Sequence, residues 1–175
     1  QGERIINWDP EAKTALSNIE VEHKEIKGHM YYFKYKVVET GKELIIATTR
    51  PETMFADQAI FVHPEDERYK DIVGMHAINP ANGEELPIMA DDYIDMDFGT
   101  AVMKCTPAHD PNDFMLAKKY DLPMPICMNP DGTMNGMAHK YAGMDRFECR
   151  KALVEDFEKA GVVDHIEEHM HQVGH

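Results

Sequence analysis

Two short segments concentrate the residue types that could do chemistry: Thr48-Thr49-Arg50-Pro51-Glu52-Thr53 and Lys104-Cys105-Thr106-Pro107-Ala108-His109-Asp110-Pro111-Asn112-Asp113. Lys104 and Thr106 stand at alternate positions of a candidate strand, so they share one face and lead toward Asp110. Arg50 and Thr53 fall on the first turn of a candidate helix. A site that needs cation, hydroxyl and carboxylate groups in one small volume can be built this way. Both segments also have a plain structural reading as helix starts. Thr49 and Glu52 have capping-box spacing, and Asp110-Pro111 places a cap before a first-turn proline, with Asp113 complementing the positive helix end. Capping leaves the other residues of each segment unexplained. No covalent nucleophile stands out: there is no Gly-x-Ser-x-Gly, Ser17 is the sole serine, and no Cys/His pairing is evident. His109 is the tempting general base, but a structural histidine beside the junction is the preferred reading.

The elements that must position these residues alternate between short strands and helices. Asp9-Pro10 followed by Glu11 to Ser17 predicts a short helix. Met30 to Val38 is aromatic and β-branched, Thr40-Gly41-Lys42 is a turn, and Leu44 to Thr49 completes a hairpin. Ala59 to His63, Leu86 to Ala90 (after the turn Asn82-Gly83) and Thr100 to Cys105 are further strands. Pro111 to Tyr120 is a helix stopped before Pro123 and Pro125. Asn129 to Gly143 looks like a long loop, its Met134, Met137 and Met144 unexplained, whereas Met89, Met103 and Met128 read as core filling. Asp145 to Ala160 is the clearest helix, capped by Asp145 with Glu148 closing a capping box, ended by Gly161, and striped by Phe147, Leu153, Val154, Phe157 and Ala160. The order of elements predicts a mixed α/β fold on a curled or closed sheet, without the regular strand–helix alternation of a doubly wound one.

Composition narrows the class. The 175 residues suit one domain with a real core, and 43% hydrophobic residues argue against wholesale disorder. No apolar run reaches the roughly 18–20 residues that span a membrane, and Gln1 to Trp8 lacks a signal pattern. Three scattered cysteines, Cys105, Cys127 and Cys149, point to a reducing cytoplasm rather than a disulfide framework. With 18 Lys and Arg against 32 Asp and Glu, the formal net charge is −14. A broad grip on a phosphate backbone is therefore not expected, although a single-stranded end could still enter a pocket.

On these segments the chain resembles the editing domain inserted into class I aminoacyl-tRNA synthetases for aliphatic amino acids, most closely the valyl branch. Thr48 to Thr53 matches the threonine-rich signature and Gly99 to Phe114 the second one. Ile6 to Pro10, His63 to Tyr69, Asn129 to Asn135 and His171 to His175 also match, so the resemblance covers nearly the whole chain. It implies a single editing domain over residues 1–175, excised from a larger synthetase, with about 1–28 and 162–175 as incoming and outgoing segments. It also implies a barrel-like core of short strands with surrounding helices. The implied activity is post-transfer editing, the hydrolysis of mischarged threonyl-tRNA(Val). Valine and threonine are nearly isosteric, and the valyl enzyme is the standard illustration of a pocket that cannot reject the extra hydroxyl strongly enough.

By that resemblance Lys104, Thr106 and Asp110 are the catalytic set: Asp110 binds the α-ammonium, while Lys104 and Thr106 hold the ester or the attacking water. Arg50, Thr53, Phe98 and Asp113 bind substrate, with Asp113 accepting the threonine hydroxyl and Phe98 packing on the terminal adenosine. No cofactor or metal is expected for editing, ATP serving only the synthetase's catalytic core. The implied partners are the 3′ end of tRNA(Val) and the remainder of the synthetase, for a cytoplasmic monomer without a membrane. Ala101 stands where the family has glycine, and its methyl strains the position if positive φ is required there; Phe55-Ala56 replaces a more usual Leu-Gly pair, and both changes are expected to narrow the pocket.

Two other readings stay open. The same fold could bind an RNA end without hydrolysing it. His165-Ile166-Glu167-Glu168-His169 has the His-x-x-Glu-His spacing of an inverted zinc protease, both histidines on one helix face, with His171 and His175 as extra ligands. A solvated outgoing segment is the preferred reading there.

Overall fold

The computed structural model describes residues 24–173, so the helix expected at Glu11 to Ser17 lies outside the described residues. Seven strands form one sheet in the order β2-β1-β4-β5-β3-β6, with β7 added alongside β1. They are β1 (Lys24–Val37), β2 (Glu43–Thr48), β3 (Ala59–Val62), β4 (His76–Ile78), β5 (Glu85–Ala90), β6 (Met103–Cys105) and β7 (Val163–Val173). All pairings are antiparallel except β3 with β5. The two ends of the path, β2 and β6, come into contact, so the sheet curls almost into a barrel. The helices α1 (Pro111–Tyr120) and α2 (Arg146–Ala160) and three 3₁₀ helices surround it. The mixed α/β, barrel-like expectation holds, with β1 and β7 far longer than the short strands foreseen.

The predicted hairpin is present: Tyr31 to Lys36 pair with Thr48 to Glu43 across a turn at Gly41, whose φ of 77° suits glycine. Phe33, Tyr35 and Val37 alternate inward with Leu44 and Ile46, as the two-residue strand period requires. β3 is buried on both faces and separates two cores. Ile60 and Val62 join the main cluster, while Ala59 and Phe61 face Cys105, Ile94 and the α1 residue Leu116. Burying a side chain the size of Phe61 contributes about 1.5–3 kcal/mol. This smaller cluster seats α1 against β3 and β6 and so fixes where the α1 N-terminus sits.

Several expectations change. The strand foreseen over Thr100 to Cys105 shortens to Met103–Cys105, because Gly99 (φ 57°) and Ala101 (φ 62°) are left-handed and cannot continue a strand. β4 had no sequence signal beyond three residues, and its neighbours β1 and β5 create it. Asn129 to Gly143 is not an open loop: it holds a bridge from Met128 to Met134 and a 3₁₀ helix at Gly136–Tyr141. Met134 is buried, and Met137 and Met144 pack against the core, which accounts for the loop methionines. On α2, Asp145 caps as expected, its carboxylate accepting from the Phe147 amide, and Gly161 closes the helix at φ 76°. Its buried face is Arg146, Cys149, Leu153, Val154 and Phe157; Ala160 is exposed and Phe147 only half-buried.

The outgoing segment is a strand. β7 pairs with β1 from Lys24↔Val173 to Phe33↔Val163, so His165 and His169 share no helix face. Four residues along a strand span about 13 Å, too far for one metal ion. His165 instead stacks on Tyr32 at 3.9 Å and bonds Asp164 at 2.7 Å. Among the described residues no helix is long and apolar enough to cross a membrane.

Candidate functional site

The two polar segments meet because β6 pairs with β3, which directly follows the first segment: Ala59 lies opposite Cys105 and Ile60 opposite Lys104. A cleft of about 510 Å³ opens at this meeting point. Its lining includes all seven residues singled out from the sequence: Arg50, Thr53, Phe98, Lys104, Thr106, Asp110 and Asp113. The size suits a small ligand rather than a long polymer. Phe98 stands at the edge, 77% exposed, an apolar ring with nothing packed over it.

Lys104 is almost fully buried, and its ammonium donates to Thr106 Oγ1 at 2.6 Å, Asp57 Oδ1 at 2.8 Å and Thr53 Oγ1 at 3.3 Å. The shared strand face of Lys104 and Thr106 is therefore confirmed by direct contact. Thr106 Oγ1 in turn donates to Asp57 Oδ1 at 2.9 Å, and Tyr35 donates its hydroxyl to Asp57 Oδ2 at 2.8 Å. Burial pushes the Asp57 carboxyl upward while Lys104 pulls it down. With an ammonium at 2.8 Å, the physical argument favours a carboxylate at neutral pH. Sequence reasoning missed Asp57 altogether. A single Asp after a helix and before a strand carries no motif, and only the β3–β6 register brings it to Lys104.

At the other wall, Asp110 caps α1, its Oδ1 accepting from the Asn112 amide at 2.9 Å. Asp113, three residues on, is buried, and its Oδ2 accepts from the Thr106 amide at 2.8 Å. Desolvation, reinforced by the Asp110 charge, raises the Asp113 carboxyl to about 7 against the opposing Thr106 hydrogen bond. Near neutral pH this group is poised to accept or to donate a hydrogen bond.

The first segment departs from its capping-box reading. Pro51–Ala56 is a 3₁₀ helix whose cap position is Arg50, with no side-chain cap bond. Thr48, not Thr49, meets the chain there, its hydroxyl accepting from the Arg50 amide at 3.0 Å. The Glu52 carboxylate points into the core, where Arg150 of α2 binds both its oxygens at 2.8 Å. A buried charge needs such a partner, and packing of this 3₁₀ helix on α2 supplies one. Arg50 ties the two segments together, donating to the His109 carbonyl at 2.9 Å with its Nε 3.8 Å from Glu52. Thr53 donates to the Arg50 carbonyl at 2.8 Å.

His109 is 2% exposed, and its Nε2 accepts from the Cys127 amide at 3.1 Å. That contact assigns the ring to holding the backbone at Cys127, in line with the structural reading. Cys105, Cys127 and Cys149 are free and buried, and burial pushes each thiol to about 12, so none offers a thiolate. Ala101 does adopt positive φ on the cleft wall, so its methyl carries the cost anticipated for a non-glycine. Ala56 does not: it is fully buried in ordinary backbone, while its neighbour Phe55 packs on Tyr141, and neither narrows the cleft. Among the described residues no group of three or more His, Cys, Asp or Glu is arranged to hold a metal ion.

Residues 64–151 match the family model described as leucyl-tRNA synthetase, editing domain. Over its full length the chain is 58% identical to the valine–tRNA ligase of Staphylococcus haemolyticus and 57% identical to that of Bacillus cereus. It spans 20% of the length of each of these relatives. A crystal structure of a ternary complex of Agrobacterium radiobacter K84 LeuRS with tRNA and LeuAMS shares the fold, with a TM-score of 0.60 at 15% identity over 98% of this chain and 23% of that one.

Proposed function

The chain belongs to the synthetase editing-domain family that the leucyl-tRNA synthetase model defines, and from that premise we propose that it hydrolyses the ester of threonyl-tRNA(Val) within a valyl-tRNA synthetase. The observation that carries the reading is the convergence of Arg50, Thr53, Phe98, Lys104, Thr106, Asp110 and Asp113 on one small cleft.

Asp110, at the cleft wall, receives the α-ammonium of the aminoacyl group as a charge-assisted hydrogen bond. Its second oxygen is available for that role while the first caps α1. Asp113 pairs with the threonine hydroxyl. Valine presents a methyl there and leaves a buried polar group unmet, at a cost of about 1–3 kcal/mol. Lys104 and Thr106 hold the ester carbonyl or the attacking water, and Arg50 and Thr53 fix the position of the ester. Phe98 offers its exposed ring to the terminal adenine by stacking. An aminoacyl ester is already activated, so positioning and electrostatics suffice without a base of tuned pKa. No cofactor enters this scheme.

The charge of −14 supports a division of labour in which the rest of the synthetase grips the tRNA and this domain reads only its end. The β1–β7 ribbon, which runs side by side toward both ends of the described residues, suits an incoming and an outgoing stem.

Deacylation of Thr-tRNA(Val) and Val-tRNA(Val), with and without a strong chelator, tests the reading. Selective loss of threonine in both conditions is expected. No hydrolysis of either would favour a noncatalytic RNA-end-binding module, and chelator sensitivity would point to a metal. Asp110→Asn should lower Thr-tRNA(Val) hydrolysis about 100-fold or more with α1 intact, because Asn caps as well as Asp. An unchanged rate would remove Asp110 from its role.

A further inference from the structure

Asp57 lies behind the cleft rather than in its wall. Its side chain is fully buried, yet it touches three residues: Lys104 of β6 and the adjoining Thr106 through Oδ1, and Tyr35 of β1 through Oδ2. The position is set by backbone. The Asp57 amide closes the 3₁₀ helix on the Met54 carbonyl at 3.1 Å, and the next amide, Gln58, bonds the Cys105 carbonyl at 2.8 Å. The backbone that carries the carboxylate is therefore tied to β6, and the side chain is held by its own three hydrogen bonds.

Lys104 carries its ammonium on a flexible four-carbon stem, and the cleft holds other carboxylates, Asp110 and Asp113 among them. A lysine left to itself would pair with one of them. That would occupy the groups assigned to the substrate ammonium and hydroxyl. The 2.8 Å pair with Asp57 holds the ammonium at the back wall, and the Thr106 hydroxyl is oriented by donating to the same oxygen.

Resting on the editing reading above, we propose that Asp57 is a positioning residue: it anchors Lys104 and Thr106 and keeps the Lys104 ammonium off Asp110 and Asp113, leaving those carboxylates to the substrate. Asp57 does not itself touch the aminoacyl group. Tyr35 holds its second oxygen and so belongs to the same device from the core side.

The test is single-turnover deacylation of Thr-tRNA(Val) by the 175-residue chain at micromolar concentration, with parent, D57N, K104M, D57N/K104M and Y35F compared. D57N keeps the shape and removes the charge. It should lower the rate constant about 10- to 100-fold, as expected when a catalytic group is displaced by an ångström or so, with the half-saturating tRNA concentration unchanged. In the K104M background D57N should add little, because the two act as a unit. Multiplying effects in the double variant, or a D57N rate equal to the parent's, would overturn the proposal. If D57N loses its fold by circular dichroism, Y35F decides, since it removes only the hydrogen bond to Oδ2 and should slow hydrolysis about twofold to tenfold; a rate equal to the parent's overturns the proposal. A parent chain that leaves Thr-tRNA(Val) intact fails the editing reading itself, and this inference falls with it.

Discussion

Lys104–Asp57 and Lys119–Asp91 are built from the same parts. In each, an ammonium sits 2.8 or 2.7 Å from a carboxylate that also accepts from a tyrosine hydroxyl, Tyr35 in one case and Tyr120 in the other. The lysines differ in exposure, 8% for the Lys104 side chain against 59% for Lys119. Burial drives Asp57 upward despite its partners. At Asp91 desolvation is outweighed by hydrogen bonds from Lys119, Tyr120 and the Tyr93 amide, and the carboxyl falls to about 2. Similar contacts thus give opposite shifts: desolvation prevails at Asp57, whose lysine is buried with it, and is outweighed at Asp91, whose lysine is exposed. The half-exposed Lys119–Asp91 pair ties α1 to the residue that follows β5. The buried pair stabilises little by itself but fixes one arrangement of the cleft, because neither charge tolerates the loss of the other.

Lysine removal separates the two most sharply. K104M leaves Asp57 buried and unpaired and should cost about 3–5 kcal/mol in urea unfolding, together with nearly all Thr-tRNA(Val) hydrolysis. Stability within error of the parent would show that Asp57 is not held as a buried charge. Next in size is a pH effect at Asp113. Its folded value of about 7 lies above the unfolded carboxyl near 3.8, so the fold binds the proton more tightly. The associated stability is present below about 4 and is lost as pH rises through about 7. D113N should therefore raise the melting temperature over the parent by several degrees at pH 8 and hardly at all at pH 4. An equal gain at both pH values would contradict it. The smallest effect belongs to K119M, a slight loss of stability at pH 7 because its lysine is exposed, with hydrolysis unchanged. A loss as large as that of K104M would erase the distinction between the pairs.

The parts legible without coordinates share a property: their determinants are local. α1 begins and ends as expected because Asp110, Pro111 and the chain after Tyr120 act on their own backbone, and α2 does so through Asp145 and Gly161. The β1–β2 hairpin follows from alternation and one turn. Where a charged side chain had both a local and a distant option, local reasoning failed. Glu52 has capping-box spacing, yet it is drawn into the core by Arg150, 98 residues away. The segment after Gly161 looked solvated because its polar alternation carries few apolar residues, and pairing with β1 makes it a strand.

The amino-acid sequence alone determined the limits of α1 and α2, which rest on residue type and short spacing, and, through the resemblance of its signature segments, the family and the seven residues that line the cleft. Tertiary structure decided which carboxylate would be buried together with its lysine. Nothing near Asp57 in the chain marks it off from Asp91. The β3–β6 register buries Asp57 together with its lysine, whereas the lysine that meets Asp91 stays exposed, and that makes their electrostatics differ.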